Sequence, residues 1–142
     1  MNNFCIYLSG AMSNVSFEEM TRWRKNFRDA ILYGDYDFKK KIVFFDPTEK
    51  FSFEIKEHKS EKEPFEYDLY QLRNSDLVVV NFNDHSSIGT AMELMLAYEL
   101  RIPVIGLNKD GVELHPWLEQ CCMRICTNMR ELCDYVVKFF LN

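Results

Sequence analysis

The fold of this chain is decided by residues 77–94, which read LVVVNFNDHSSIGTAMEL. The apolar run Leu77–Val80 predicts a buried strand, followed by a turn of small and polar residues and then by a helical pattern. In open α/β sheets, ligands bind at such junctions between a strand and the next helix. Glu93 lies in the first turn or so of the helix, where the helix dipole alone would favour an acid. Because its neighbours are apolar and face a core, Glu93 is also a candidate nucleophile or general base.

The rest of the chain repeats the alternation of strand and helix. Further apolar runs predict strands at residues 4–8, 42–45, 104–107 and 123–126. Helical spacing of apolar residues predicts helices at residues 17–33, 65–74, 90–100 and 128–141. Ser16 and Glu19 have the spacing of a capping box at the start of the first helix. The alternation predicts one α/β domain, residues 1–142, with a five-stranded parallel sheet and helices on both faces.

Residues 48–64 form a charged stretch with little periodicity between the second strand and the second helix. A structureless segment of this kind is usually functional or disordered. Two interpretations stand side by side. The segment is either a mobile surface loop or a lid over the sheet edge where the strand-to-helix turns meet.

The composition excludes several classes of function. The formal net charge is -5, and the basic cluster Lys39–Lys41 is typical of a solvated turn before a strand, so we expect no nucleic-acid partner. No apolar run approaches the length of a membrane span. No GxGxxG or Walker loop predicts a nucleotide cofactor. Aromatic residues make up 15% of the chain, which predicts bulky packing or a subunit interface.

The cysteines indicate a reducing environment. There are five of them, an odd number, and no secretion signal precedes them. Such usage is typical of free thiols in the cytoplasm, where we expect the protein to reside. Cys121, Cys122, Cys126 and Cys133, with His115 nearby, fit no standard zinc spacing. A packed thiol cluster is therefore favoured over a metal site, and we expect no metal cofactor.

Polar residues follow several of the predicted strands, and the carboxyl ends of parallel strands meet at one edge of the sheet. We expect this edge to be lined by Tyr7, Ser9, Gly10, Asp46, Asn81, Asn83, Asp84, Asn108 and Asp110, with Asp68 as a candidate to face it from the preceding helix. Gly89 and Thr90 at the helix start would expose backbone N–H groups, which suit an anion or a hydroxyl. One ionised glutamate, held by a tyrosine hydroxyl and helix-end N–H groups, suits attack on an electrophilic carbon. A second carboxylate can then move the proton, and no cofactor is needed.

Five segments carry a family resemblance: Ile6–Met12, Asn74–Val80, Gly89–Glu93, Ala97 and Arg101–Ile105. In this order along the chain they resemble the nucleoside 2-deoxyribosyltransferases. The resemblance implies a flavodoxin-like, that is Rossmann-like, fold and a homo-oligomer. It also implies cleavage of the N-glycosidic bond of 2′-deoxynucleosides.

The resemblance further implies roles for individual residues. Glu93 matches the glutamate that attacks the anomeric carbon and forms a glycosyl-enzyme. Tyr7 matches the tyrosine that orients this glutamate, and Asp68 matches the aspartate that helps to protonate the leaving base. Ser87 stands where the family often has an aspartate that holds the sugar 5′-hydroxyl. The related 2′-deoxynucleoside 5′-monophosphate N-hydrolases carry serine at this spacing, and a serine hydroxyl can donate to a phosphate that an aspartate would repel.

The primary hypothesis is therefore a transferase that moves deoxyribose from a deoxynucleoside to a free nucleobase. The expected substrate-binding residues are Ser9, Gly10, Asn83, Ser87, Gly89 and Thr90. One alternative is an N-glycosidase that acts on deoxynucleoside 5′-monophosphates, with water as the acceptor. The alternatives from other classes are a nucleotide-binding sensor without catalysis and a purely structural subunit.

Overall fold

Five parallel strands form one sheet in the computed structural model, which describes residues 3–50 and 59–142. The strands are β1 (Phe4–Gly10), β2 (Ile42–Phe45), β3 (Leu77–Asn81), β4 (Val104–Leu107) and β5 (Arg124–Cys126). Their order across the sheet is β2-β1-β3-β4-β5, and every neighbouring pair is parallel. This is the strand order of flavodoxin-like folds, so the predicted α/β class is confirmed.

Helices cover both faces of the sheet, as predicted. They are α1 (Phe17–Tyr33), α2 (Pro47–Lys50), α3 (Lys62–Arg73), α4 (Ile88–Glu99), α5 (Pro116–Gln120) and α6 (Met129–Val136), with a π-helical turn at Val137–Leu141. Side chains alternate along β1, so Leu8 packs in the core cluster with residues of α1 and α6. Tyr7 packs in the second cluster, with residues of α3 and α4. The two faces of β1 therefore meet different helix layers.

The structure differs from the sequence predictions mainly between β2 and α3. A short helix, α2, occupies residues predicted to be loop, and α3 begins at Lys62, three residues earlier than predicted. The central part of the predicted 48–64 segment, residues 51–58, lies outside the described residues.

Helix α5 was not predicted because five residues are too few to show a helical period. Pro116 at its start fixes a helical φ, and the Trp117 N–H donates to His115 Nδ1 over 3.1 Å.

Two serines begin the helices on either side of the sheet. The Glu19 N–H donates to the Ser16 hydroxyl over 3.0 Å at the start of α1, as the capping-box spacing predicts. Ser87 caps α4 in the same way.

All five cysteines are free thiols, and Cys126 and Cys133 are buried in the core. Among the described residues, none of the helices combines the length and the apolarity that a bilayer crossing requires.

Candidate active site

A cavity of about 340 Å³ opens at the carboxyl edge of the sheet, above β1 and β3. From β1 the chain crosses to β2, whereas from β3 it crosses to β4 on the other side. This reversal is the topological switch point at which doubly wound sheets bind ligands. The walls come from the β1–α1 turn, α3 and the start of α4, and they include Gly10, Phe65, Asp68, Ser87 and Glu93.

Glu93 is held by two hydroxyl groups from β1. The Tyr7 hydroxyl donates to Glu93 Oε2, and the Ser9 hydroxyl donates to Oε1 over 2.8 Å. Residues 7 and 9 project to the same face of β1, the face on which α4 lies, so strand alternation places both donors beneath the carboxylate. Burial raises the pKa of Glu93, while the two hydrogen bonds and the charge of Arg24 act in the opposite direction. The carboxylate thus has a fixed orientation at the floor of the cavity.

Asp68 is the second carboxyl group at the site. It lies half-buried on α3 and lines the same cavity as Glu93. Burial and the nearby Glu93 raise its pKa to about 7, against the opposing effect of Arg24. Two neighbouring carboxyl groups in different surroundings can divide the roles of nucleophile and acid. A pKa of about 7 allows Asp68 to hold a proton near neutral pH.

Tyr7 remains a hydrogen-bond donor throughout the ordinary pH range. Its side chain is 1% exposed. Burial, together with the charges of Glu93 and Asp68, raises its pKa well above the usual value. A phenol that does not ionise can hold Glu93 without adding negative charge to the site.

Ser87 begins α4 at the rim of the cavity. Its hydroxyl oxygen accepts from the Thr90 N–H over 3.3 Å and from the Thr90 hydroxyl over 3.0 Å. The hydroxyl hydrogen of Ser87 is then left to donate to a ligand. The N–H groups of Ile88 and Gly89 belong to the first turn, where no intrahelical acceptor exists. A Cβ built on Gly89 would meet nothing within 4 Å, so this backbone faces open space.

The other predicted binding residues take different places. Gly10 lines the cavity, and its Cα packs closely, since a Cβ there would come 3.0 Å from Trp23 Cζ2. Ser9 is fully buried beneath Glu93 and does not line the cavity. Asn83 lies outside the cavity as well. Its Oδ1 accepts from the Ala11 N–H over 3.1 Å, and the side chain borders a separate cavity on the α1 side.

Arg24 is the residue at this site that the sequence reasoning missed. Its guanidinium is fully buried beside the end of β1. The available signal was its position in α1, because Arg24 lies between Met20 and Phe27 in the buried helical stripe. A charged residue inside an apolar stripe indicates a buried partner.

A second cavity of about 300 Å³ adjoins the first, and Asp68 lines both. Its walls include the side chains of Phe45 and Tyr67 and the amide of Gln71. Flat aromatic walls with a few polar groups suit a planar heterocycle. The groups of histidine, cysteine and carboxylate residues that the structure describes include no cluster able to hold a metal ion.

Comparisons with known proteins extend these observations. No protein-family model matches the sequence, and no curated protein matches it either. Solved structures with a similar fold include the following three. A 2-deoxyribosyltransferase from the psychrotolerant bacterium Bacillus psychrosaccharolyticus is 20% identical, with a TM-score of 0.72 over 92% of this chain and 91% of that one. A conserved protein from Enterococcus faecalis V583 is 17% identical, with a TM-score of 0.77 over 96% and 99%.

The third structure is a 2-deoxyribosyltransferase from Leishmania mexicana, 16% identical, with a TM-score of 0.65 over 97% of this chain and 99% of that one. Nearly the whole length is therefore shared in each comparison. The chain has the fold of the 2-deoxyribosyltransferases, as the resemblance in its sequence predicts.

Proposed function

We propose that the protein is a nucleoside 2-deoxyribosyltransferase. It cleaves the N-glycosidic bond of a 2′-deoxynucleoside and transfers the deoxyribosyl group to another nucleobase. The observation that carries the proposal is the pair of carboxyl groups at the switch point: Glu93, fixed by Tyr7 and Ser9, and Asp68, with a pKa of about 7. The fold shared with two 2-deoxyribosyltransferases supports the same assignment.

In the first step, an ionised oxygen of Glu93 attacks the anomeric carbon C1′. A bond forms between this oxygen and C1′, and the bond between C1′ and the base nitrogen breaks. The base leaves with the electron pair and takes the proton of the Asp68 carboxyl group. Tyr7 and Ser9 keep the attacking carboxylate in place, which lowers the entropic cost of reaching the attack geometry.

In the second step, a nitrogen of the incoming base attacks C1′ of the glycosyl-enzyme. The ester bond to Glu93 breaks, and the Asp68 carboxylate accepts the proton that the incoming base loses. Asp68 thus acts first as acid and then as base, as in retaining glycosidases. We assign both bases in turn to the aromatic cavity beside Asp68, where Phe45 and Tyr67 offer walls for a planar ring.

A second candidate function is the N-hydrolysis of 2′-deoxynucleoside 5′-monophosphates. One observation favours it: the Ser87 hydroxyl caps α4 with both acceptor positions used and can donate its hydrogen outward. The first-turn N–H groups of Ile88 and Gly89 would add donors and the positive end of the helix dipole. In this function Ser87 and the Ile88 and Gly89 N–H groups hold the 5′-phosphate, Thr90 orients the Ser87 hydroxyl, and water replaces the second base.

We also propose that the protein is a homo-oligomer. Helix α4 is apolar on its exposed side, where Ile88 is 77%, Met92 50% and Met95 46% exposed. Helices that are apolar on all sides are normally buried. Ile88 and Met92 also line the cavity, so a second copy packed on this stripe would close one side of the substrate site.

The cytoplasmic location expected from the cysteines stays a prediction.

The test is an analysis of products by chromatography. The purified protein is incubated with each 2′-deoxynucleoside, with and without a second free base, and in parallel with the 5′-monophosphates. Glu93→Ala and Glu93→Gln serve as controls, and a thermal melt checks that both variants fold. A new nucleoside that forms only with the second base identifies a transferase, and free base released from monophosphates alone identifies the hydrolase.

Other outcomes contradict the proposal. Turnover by folded Glu93→Ala removes Glu93 from the mechanism. Mass spectrometry of the wild-type protein, quenched during turnover, should find a deoxyribosyl adduct on Glu93, and an adduct on a different residue would contradict the proposal. Saturable nucleotide binding with neither turnover nor adduct would identify the non-catalytic sensor instead.

A further inference from the structure

Arg24 has no exposed surface, although arginine is rarely buried without compensation. A buried guanidinium needs acceptors for its N–H groups and negative charge nearby. The acceptors and charges that surround Arg24 show what this side chain is placed to do.

The peptide groups of β1 point alternately to its two neighbours. The Phe4 N–H donates to Lys41 O, before the start of β2, over 2.7 Å. The Cys5 carbonyl accepts from the Asp76 N–H, before the start of β3, over 2.8 Å. Even-numbered residues of β1 therefore present their peptide groups to the β2 side.

This alternation leaves two carbonyl groups of β1 without a strand partner. β2 ends at Phe45, opposite Tyr7, whereas β1 continues to Gly10. Arg24 takes the place of the missing strand: its Nε donates to Leu8 O and its Nη2 donates to Gly10 O, each over 3.2 Å. One guanidinium thus holds the peptide groups on both sides of Ser9.

Arg24 forms an ion pair with one carboxylate, and its hydrogen bonds go to uncharged carbonyl groups. The nearest carboxylate oxygen is Asp46 Oδ1, 3.8 Å from Nε, which is beyond hydrogen-bond distance. Asp46 is shared with Arg28, at 3.7 Å, and with Thr48, whose N–H donates to it over 2.9 Å. The third acceptor of Arg24 is the Met20 carbonyl, which carries no formal charge. The charge of Arg24 therefore lies among uncharged acceptors, and it interacts with Glu93 as well as with Asp46.

We propose that Arg24 is a positioning residue for Glu93. Its guanidinium fixes the end of β1 so that the Ser9 hydroxyl stays at 2.8 Å from Glu93, and its buried charge favours the ionised carboxylate. The inference rests on the proposed function, in which an ionised Glu93 attacks C1′.

The surroundings of Glu93 support this role. From β1, Tyr7 and Ser9 donate hydrogen bonds to Glu93. Helix α3 contributes the acid Asp68, and α1 contributes the cation Arg24. Arg24 lowers the pKa of Glu93 and that of Asp68, whereas burial raises both. Loss of the cation should therefore raise both pKa values together.

The experiment compares Arg24→Met, Arg24→Lys and Asp46→Asn with the wild type. Glutamate is labelled with ¹³C at the side-chain carboxyl, and the Glu93 signal, identified by its loss in Glu93→Gln, is titrated by NMR without ligand. The same proteins are assayed for kcat and KM across pH. Thermal melts report whether each variant folds.

We expect the Glu93 midpoint of Arg24→Met to rise by about one pH unit, the low end of the change that loss of a nearby opposite charge produces. Both apparent pKa values of the pH–rate profile should rise with it. Arg24→Lys should keep the midpoint, because it keeps the charge, but lose about tenfold in kcat with little change in KM, because a point-charge ammonium cannot reproduce the planar fork. Asp46→Asn should move the midpoint down.

An unchanged midpoint in folded Arg24→Met overturns the proposal, since a purely structural residue would change stability without moving the titration. If Arg24→Met does not fold, Asp46→Asn decides: a midpoint that stays or rises refutes the role of the charge. Absence of turnover by the wild type would contradict the proposed function. The NMR titration would still test Arg24 separately.

Discussion

Replacement of Asp68 by asparagine should stabilise the protein at pH 8 while removing the proposed acid. The pKa of Asp68 rises from 3.8 to about 7 in the folded protein. The folded state therefore binds the proton more tightly than the unfolded state, and the free energy of unfolding falls as pH rises between these two values. Above pH 7 this loss is complete. At about 1.4 kcal/mol per pH unit, the shift corresponds to at most about 4.5 kcal/mol.

Solvent screening reduces this value, because Asp68 is only half-buried. We expect Asp68→Asn to gain about 1–2 kcal/mol relative to the wild type between pH 5 and pH 8. Urea unfolding of both proteins at the two pH values measures the gain, and Asp37→Asn, at an exposed position, controls for the change in net charge. The same difference between Asp68→Asn and wild type at pH 5 and at pH 8 would refute the reasoning.

Three further changes test the site and the interface. Tyr7→Phe removes the hydroxyl that donates to Glu93 Oε2. Because a hydrogen bond to a charged group is lost, kcat for the best nucleoside should fall by about 10- to 100-fold. An unchanged kcat would contradict the orienting role of Tyr7. Ser87→Asp keeps a good helix cap but places a carboxylate beside the 5′ group of the substrate. In competition assays, kcat/KM should fall more than tenfold for 5′-monophosphates and change little for nucleosides. Equal losses for both substrates would contradict a role of Ser87 in phosphate binding. Met95→Glu puts a charge on the exposed apolar stripe of α4, and sedimentation experiments should then find a monomer instead of the oligomer. The control variant Lys62→Glu, on the surface of α3, should leave the oligomer intact. An assembly that survives Met95→Glu would place the interface elsewhere.

Local patterns were sufficient for most of the architecture. Strands β2 and β4 begin and end where the apolar runs predict, and α1 ends at Tyr33, just before Gly34, as predicted. Such boundaries are set by neighbouring residues, through apolar periodicity and helix caps. The short helix α5 and the π-helical turn after α6 lack a local pattern long enough to detect.

The sequence by itself determined that Glu93 and Ser87 lie at the carboxyl edge of a parallel sheet, because alternating strands and helices leave one arrangement for such junctions. Asp68, inside a helix, was assigned to this edge through the family resemblance. Only the tertiary structure decided what each residue contacts there. The Tyr7 hydroxyl reaches Glu93 across 86 positions of the chain, Asn83 turns away to bind the Ala11 N–H, and Arg24 fills the place beside β1 that β2 leaves empty. The reason is physical: secondary structure follows from nearby residues, whereas hydrogen-bond partners, burial and the pKa shifts that they cause depend on groups that only folding brings together.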